Sequence, residues 1–202
     1  FSAAGLGSSA ALSNAIGAAL QDHINPGQKL DPVALARMGH SAEAMAQKGR
    51  ASPTDTATSA LGGCIVVSGN QVEGTRHVFD AKLETPEGLR KWSINAVDLP
   101  DSLDDAYLVI GFTGEMSSTG KMVAGVAKLL EEYPAMEGEM DAIGRITSAG
   151  LTALSAGNLE AVGMAMDACH EKLRLLGVSS PSLEALVEAA RPHSFGAKLT
   201  GS

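Results

Sequence analysis

The first eleven residues form a glycine-rich loop that leads into a helix. They read Phe-Ser-Ala-Ala-Gly-Leu-Gly-Ser-Ser-Ala-Ala, with glycines at Gly5 and Gly7 and hydroxyls at Ser8 and Ser9. Glycine adopts backbone conformations closed to other residues, so successive amide N–H groups can turn toward one anion where the helix begins. The segment therefore predicts a polyphosphate site. A tight turn with a serine N-cap produces the same pattern, so the loop alone leaves both interpretations open.

Length, charge and cysteine content narrow the class of protein. The 202 residues can bury a substantial core, and we expect two domains, at 1–100 and 101–202. The formal net charge of -8 and the absence of a basic cluster argue against a nucleic-acid partner. No apolar run approaches the roughly 18–20 residues that span a bilayer, so we expect no membrane partner. Cys64 and Cys169 are too few for a disulfide framework, which predicts free thiols and a cytoplasmic protein.

Proline, glycine and apolar spacing predict two helices in the first half. The first should run from about Ser8 to Asp22. The second should begin at Asp31-Pro32, where an N-cap aspartate precedes proline at the first helical position. Apolar residues of the second helix recur at three- and four-residue spacing and should face the core: Leu35, Met38, Ala42 and Met45. Glu43 lies off that stripe, so a solvated helix face is the alternative to any functional role.

The middle of the chain is predicted to hold a polar loop and then strands. Residues 50–56 contain serine, proline and aspartate, which are typical of a loop. The β-rich segments 64–67 and 72–79 flank a glycine turn and should pair as an antiparallel hairpin. We place a domain boundary near residue 100, and the apolar run 106–111 after it is typical of a buried strand.

The second half is predicted to be mainly helical. Four helices are expected, one capped by Ser117–Thr119 and others over about 135–156, 159–176 and 181–192. An apolar segment from Phe195 onward should form a closing strand. His170, on the third of these helices, should lie on its surface or between helices rather than bind a metal. The chain as a whole is therefore predicted to be α+β.

Asp55 is the best candidate for a general base. It stands among the hydroxyls of Ser52, Thr54 and Thr56, although a local Asx-turn would use the same residue types. Together with the loop hydroxyls, either Asp55 or Glu43 could bind Mg²⁺ that bridges phosphates, while the other carboxylate receives a proton. Phosphoryl transfer asks mainly for positioning and charge neutralisation, so a loop, a metal and a base form a minimal set.

Other chemistries have weaker support in the sequence. Gly114–Met122 imitates a Walker A loop, but Met122 occupies the place of the metal-binding serine or threonine. The five histidines lack the i, i+4 spacing of a zinc helix, and no Gly-x-Ser-x-Gly elbow is present. The phosphate-loop candidate begins at Phe1 with no strand before it, so we expect the chain to be an internal fragment.

Five segments, in order, resemble the GHMP kinases, and within them the archaeal mevalonate kinases. They are Gly5–Ala11, Ala51–Thr56, Ser117–Thr119 with the following Leu129–Pro134, Leu176–Ser179 and Gly196–Gly201. The resemblance spans the whole chain. It implies a ribosomal-protein-S5-like N-terminal half and a ferredoxin-like C-terminal half, incomplete at both ends. The family's first motif would precede Phe1, and its third motif would continue beyond Ser202.

The resemblance also implies roles for individual residues. Asp55 would take the proton from the substrate hydroxyl, and Ser9 with Glu43 would hold Mg²⁺. ATP would be bound by the loop residues Ala4, Gly5, Leu6, Gly7, Ser8, Ser9 and Ala10. Thr56 and Thr200 would contact the substrate. The implied reaction moves the ATP γ-phosphoryl group onto the 5-hydroxyl of mevalonate, giving 5-phosphomevalonate for isoprenoid synthesis.

Three alternatives stay open at this point. Another GHMP kinase could act on phosphomevalonate, homoserine or a sugar, because the nucleotide loop does not identify the acceptor. A non-catalytic nucleotide-binding module would use the same loop without turnover. A purely structural α/β domain would have no nucleotide affinity. A homodimer is one assembly that we expect.

Overall fold

The first unit, Leu6–Asp98, combines helices with a small antiparallel sheet. The computed structural model describes residues 5–49, 51–85, 88–115 and 119–200. Within these residues the elements of the first unit are α1 (Ser8–Ile24), α2 (Pro32–Ala46), α3 (Thr54–Leu61), β1 (Cys64–Ser68), β2 (Arg76–Thr85) and β3 (Gly88–Val97). The two predicted helices are confirmed as α1 and α2. The side chain of Asp31 accepts a hydrogen bond from the Val33 N–H, as expected of an N-cap.

The sheet is arranged around β3, a strand that the sequence analysis missed. The strand order is β1-β3-β2, with both pairings antiparallel. The predicted hairpin between 64–67 and 72–79 is therefore wrong, because Cys64 of β1 lies opposite Val97 of β3. Residues 88–91 of β3 are exposed, and its buried part contains Ser93 and Asn95. Such a strand lacks the alternation of apolar and polar residues that predicts a half-buried strand.

The core of the first unit lies where the helices cover the sheet. Its buried apolar residues are Ala36, Ala57, Phe79, Ala81 and Ile94. Alanines of α2 and α3 contribute to this cluster, so the helices can lie close to the larger side chains of the strands. The sheet and its helices thus position α3 beside α1 and α2, against which it packs.

The buried face of α2 differs from the predicted one. Met38 and Met45 are 40% and 84% exposed, and Ala42 is also exposed. The face toward the interior is instead formed by Leu35, Ala36, Gly39, His40, Glu43 and Ala44. This face carries the small residues that allow α1 and α3 to pack closely against α2. Glu43, predicted to be solvated, is therefore buried.

The polar segment 50–56 is only partly a loop. Helix α3 begins at Thr54, so Asp55 lies in its first turn rather than in a loop. The hydroxyls nearby bond to the backbone of their own segment: Thr56 donates to the Pro53 carbonyl at 3.2 Å, and Thr58 to the Thr54 carbonyl at 2.7 Å. Threonine and aspartate favour turns and helix starts about equally, which explains why composition alone misplaced the boundary.

The second unit, from Leu99 onward, is helical in its described residues. Its helices are α4 (Thr119–Glu132), α5 (Glu137–Ser155), α6 (Leu159–Leu175) and α7 (Pro181–Ala190), with 3-10 turns at Asp101–Leu103, Pro134–Met136 and Arg191–His193. The predicted helices of this half are confirmed. Asn158 caps α6 and Ser180 caps α7, each accepting a backbone N–H. Of the predicted cap of α4, Ser117 and Ser118 lie outside the described residues.

Residues 106–111 do not form the predicted buried strand. Tyr107, Leu108 and Val109 are 90%, 79% and 88% exposed. A strand needs backbone hydrogen bonds from a neighbour, and no described residue of the second unit supplies them. The segment that begins at Phe195 is not a strand either in its described part; it lies against α6. Helices together with one small antiparallel sheet nevertheless confirm the α+β class.

The helices offer no candidate for a membrane span. Across the residues that the structure describes, none is both long enough and apolar enough to cross a bilayer.

Candidate functional site

The glycine-rich loop enters α1 through Gly7. Gly5 and Gly7 both have φ of 68°, in the left-handed region that favours glycine. Gly7 is itself the N-cap of α1, and in the described loop no side chain caps the helix. The serine N-cap offered as the alternative interpretation is therefore wrong, because Ser8 is already the first helical residue. Of the predicted ATP-binding residues, Ala4 lies outside the described part of the chain.

The first turn of α1 is open to solvent on one side and anchored on the other. Leu6, Ser8 and Ser9 are exposed, whereas Ala10 is fully buried. N–H groups in the first turn of a helix have no acceptor within the helix, and the helix dipole there favours negative charge. The turn therefore has the properties of an anion-binding site.

Asp55 packs against Gly7, although the two are far apart in sequence. A Cβ atom added to Gly7 would lie 3.4 Å from the Asp55 Cβ and 3.7 Å from its Oδ2. An alanine methyl would just touch Asp55, and a larger side chain would have to displace it. Asp55 is exposed and lies in the first turn of α3. The structure thus brings the predicted base to the predicted phosphate loop.

A buried hydrogen bond links α1 to α3 next to Asp55. Asn14 donates through Nδ2 to the Thr56 carbonyl at 2.8 Å, and the two residues are 6% and 0% exposed. The Asn14 Oδ1 has no hydrogen-bond partner among the described residues, and it lies so close to Gly39 that an added Cβ there would overlap with it. Asn14 was not predicted as a site residue, because an amide within α1 gives no local sign that it is buried.

A second buried contact holds the chain just before α3. The His40 Nε2 lies 3.1 Å from the Ala51 carbonyl oxygen, within hydrogen-bond distance. The His40 ring is 6% exposed and meets Trp92 edge-on at a centroid distance of 5.6 Å. This contact ties α2 to the segment that leads to Asp55. His40 was likewise not among the residues predicted for a site.

The remaining predicted site residues have contrasting environments. Glu43 is buried, at 8% exposure, on the same face of α2 as His40. Thr56 is wholly buried, and its hydroxyl donates to the Pro53 carbonyl. Thr200 is exposed and belongs to the second unit. The described residues contain no cluster of three histidine, cysteine, aspartate or glutamate side chains that could hold a metal ion.

Both cysteines are free thiols, as predicted. Cys64 and Cys169 are half-buried, in the first and second unit respectively. Burial raises the pKa of the Cys64 thiol, because an apolar environment disfavours the thiolate. Cys64 is therefore poorly suited to act as a nucleophile.

Residues 2–63 match a family model described as GHMP kinases N terminal domain. These residues are therefore similar to the N-terminal domain of the GHMP kinases. The domain contains the glycine-rich loop and helices α1, α2 and α3, and hence both Gly7 and Asp55. The resemblance drawn from the sequence motifs is thereby confirmed.

Curated relatives that carry the name mevalonate kinase match almost the whole chain. The protein from Thermococcus sibiricus is 32% identical over 206 residues, which cover 98% of this chain and 53% of the relative. That from Methanothermobacter thermautotrophicus is 32% identical over 200 residues, covering 98% and 57%. A protein from Methanocaldococcus jannaschii is 27% identical over 198 residues, covering 98% and 54%. The chain therefore spans about half the length of the curated relatives it matches.

Proposed function

We propose that the chain forms part of an ATP-dependent mevalonate kinase, which transfers the γ-phosphoryl group of ATP to the 5-hydroxyl of mevalonate. The observation that carries the proposal is the contact of Asp55 with Gly7 of the glycine-rich loop. Phosphoryl transfer needs a phosphate-binding loop and a proton acceptor around the same substrate. The names of the matched relatives support mevalonate as the acceptor.

The proposed reaction uses few protein groups. The alcohol oxygen attacks the γ-phosphorus, the bond from that phosphorus to the bridging oxygen breaks, and ADP leaves. Asp55 accepts the proton of the alcohol. The backbone N–H groups of the loop and of the first turn of α1 would bind the phosphates.

The chemistry of the predicted metal ligands fits Mg²⁺. The Ser9 hydroxyl and the Glu43 carboxylate are hard oxygen donors, and Mg²⁺ in kinases takes few protein ligands beside waters and phosphates. Glu43 is buried, and a buried carboxylate is costly unless a cation or hydrogen bonds compensate its charge. When bound, Mg²⁺ would offset the negative charge on the β- and γ-phosphates.

The finer expectations belong to the same proposal. They include a ribosomal-protein-S5-like first half, a ferredoxin-like second half, domains at 1–100 and 101–202, and substrate contacts from Thr56 and Thr200. Residence in the cytoplasm and a homodimer also remain predictions.

Replacing the proposed base tests the function directly. In the intact protein, Asp55→Asn should lower kcat by about 10²–10⁴-fold, as expected when a general base is lost. ADP release in the presence of mevalonate measures the turnover, and calorimetry measures ATP binding, which should persist. Asp22→Asn, which changes an exposed aspartate of α1, serves as the matched control. Near-normal turnover of Asp55→Asn would exclude the assigned role.

A panel of acceptors separates the alternatives. Turnover with phosphomevalonate, homoserine or a sugar but not with mevalonate would identify another GHMP kinase. ATP binding without turnover on any acceptor would favour a non-catalytic nucleotide-binding module. Absence of ATP affinity would indicate a purely structural domain.

A further inference from the structure

The segment that starts at Phe195 crosses α6 at very close range. Gly163 of α6 and Gly196 of the segment approach so closely that a Cβ on either would overlap with the other's backbone or with that of Phe195. Gly163 is buried at this crossing. Only residues without a side chain allow two backbones to meet in this way.

Two side chains of α6 then hold alternate backbone amides of the segment. The Asp167 Oδ1 accepts from the Ala197 N–H at 3.0 Å, and the His170 Nδ1 accepts from the Leu199 N–H at 3.2 Å. Together with Gly163, these two residues occupy one face of the helix, because positions three and four apart are neighbours on its surface. The segment therefore lies along α6 in a defined register.

His170 is fully buried, and its two ring nitrogens have different partners. Because Nδ1 accepts a hydrogen bond from Leu199, it carries no proton, so the proton of the neutral ring is on Nε2. Nε2 lies 3.2 Å from the Glu184 Oε1 of α7, a close electrostatic contact without good hydrogen-bond alignment. The Ser179 hydroxyl donates to the same Glu184 oxygen. The carboxylate thus favours the tautomer that can accept from Leu199.

Asp167 is held from the other side by an arginine. The Arg191 Nε donates to the Asp167 Oδ1 at 2.9 Å, and its Nη2 donates to the Glu171 Oε1 at 3.2 Å. A single guanidinium therefore spans two carboxylates of α6. Since the Asp167 oxygen also accepts from Ala197, the arginine limits its freedom to turn away from the segment.

We propose that His170 and Asp167 are positioning residues that place Thr200 for substrate contact, an inference that rests on the proposed function. Both act through the backbone of the segment, and Thr200 follows directly on Leu199. Thr200 is exposed, so its side chain is accessible to a ligand, while the residue before it is buried and bonded to α6. Displacing a substrate-contacting group by about 1 Å can lower a rate as much as 10²-fold, so such anchoring matters for turnover.

The sharpest test removes and then restores the side-chain acceptor of the hydrogen bond from the Leu199 N–H. In the intact protein, His170→Leu should lower kcat/KM for mevalonate by about tenfold or more. It should leave the Kd for ATP within about twofold, because Gly7 and helix α1, which are proposed to bind the phosphates, belong to the first unit. His170→Asn keeps an acceptor near the place of Nδ1 and should restore most of the loss. Hydrogen exchange of the Leu199 amide should accelerate in His170→Leu and slow again in His170→Asn.

A second pair of variants tests the close crossing without touching the polar contacts. Gly163→Ala places a methyl group where the backbone of the segment lies. It should therefore lower kcat/KM for mevalonate and accelerate hydrogen exchange of the Leu199 amide. Gly144→Ala makes the same change on α5 with no heavy atom within 4 Å, so it should alter neither quantity. This pair remains informative even if His170→Leu fails to fold.

The outcomes distinguish the two proposals. Equal kcat/KM and equal Leu199 exchange in wild type, His170→Leu and Gly163→Ala would overturn the positioning role. Loss of thermal stability in both His170 variants, without rescue by asparagine, would assign His170 to folding alone and overturn it as well. A wild-type protein that transfers no phosphate to mevalonate would overturn the proposed function, whereas asparagine-rescued exchange would still show that His170 holds the segment.

Discussion

Two regions of the molecule hold a candidate functional segment in place, and they do so with different side chains. Beside Asp55, Asn14 and His40 contact backbone carbonyls in a buried environment. Around Leu199, fully buried His170 accepts the backbone N–H, and half-exposed charged residues on α6 and in the turn after α7 help to hold the segment, among them Asp167 and Arg191. Losing one partner of a buried hydrogen bond is costly, whereas half-exposed ion pairs contribute little each and respond to solution conditions. Both regions should therefore be sensitive to the loss of a buried hydrogen bond, and the second, with its half-exposed charges, should also respond to pH.

The largest effect should come from placing a charge in the first region. Asn14→Asp is nearly isosteric, but it replaces the amide donor with a carboxylate that faces the Thr56 carbonyl. We expect the free energy of unfolding to fall by about 3 kcal/mol, because the charge would be buried without a partner. Urea denaturation measures the change. Asn70→Asp, at an exposed turn, is the matched control and should stay within about 0.5 kcal/mol. Equal effects of the two substitutions would break the comparison.

Substitution of Gly7 in the loop should have a smaller effect on stability and a separate effect on turnover. Gly7→Val and Gly27→Val both place a β-branched residue at positive φ, 68° and 78°, which should cost about 1–2 kcal/mol in each case. Only the side chain at Gly7 would press on Asp55, since Gly27 has no heavy atom within 4 Å of an added Cβ. Gly7→Val should therefore also lower kcat roughly 10–100-fold. Similar turnover in the two variants would show that the contact with Asp55 is dispensable.

The smallest effect should be a pH dependence of the protection of backbone amides from hydrogen exchange, confined to the second region. A hydrogen bond from the Ser179 hydroxyl, together with nearby His170, lowers the pKa of Glu184 below its ordinary value, and Arg191 lowers the pKa of Glu171. A carboxylate with a lowered pKa in the folded state contributes stability above the unfolded pKa and loses it as the pH falls through the folded value. Protection of the Leu199 amide from hydrogen exchange should therefore decrease below about pH 4.5 more than protection of the Ala57 amide on α3.

Glu184→Gln sharpens this comparison. Glutamine does not titrate in this range, so the additional loss of Leu199 protection in acid should shrink in the variant. An unchanged pH profile, or an equal loss at Ala57, would argue against a difference in electrostatic character between the two regions.

Local signals predicted the helices well. Helix α2 starts after Asp31 and α7 after Ser180, and in both cases proline occupies the first helical position. Capping and proline geometry depend on a few neighbouring residues, so they are visible in sequence. Glycine chemistry likewise identified the loop at Gly7, which the structure shows in the left-handed conformation.

Strand pairing and burial were predicted poorly. Strand β3 was missed because buried Ser93 and Asn95 interrupt its apolar pattern. The apolar run 106–111 was taken for a strand, although the described residues offer it no pairing partner. Glu43 is buried because it lies on the face of α2 that packs against α1 and α3, whereas the spacing of apolar residues predicted a different buried face. Each of these errors concerns a contact between residues distant in the chain.

Short stretches of the amino-acid sequence were enough to predict where helices begin, which loop can adopt left-handed glycine conformations, and which residue types could bind phosphate or accept a proton. These properties reside in short stretches of chain, since backbone geometry and side-chain chemistry are local. Tertiary packing was needed to show that Asp55 lies against Gly7, that Asn14 and His40 hold the chain around it, and that His170 accepts a hydrogen bond from the residue before Thr200. Such contacts depend on how packed elements bring distant backbone groups together, which no local pattern encodes.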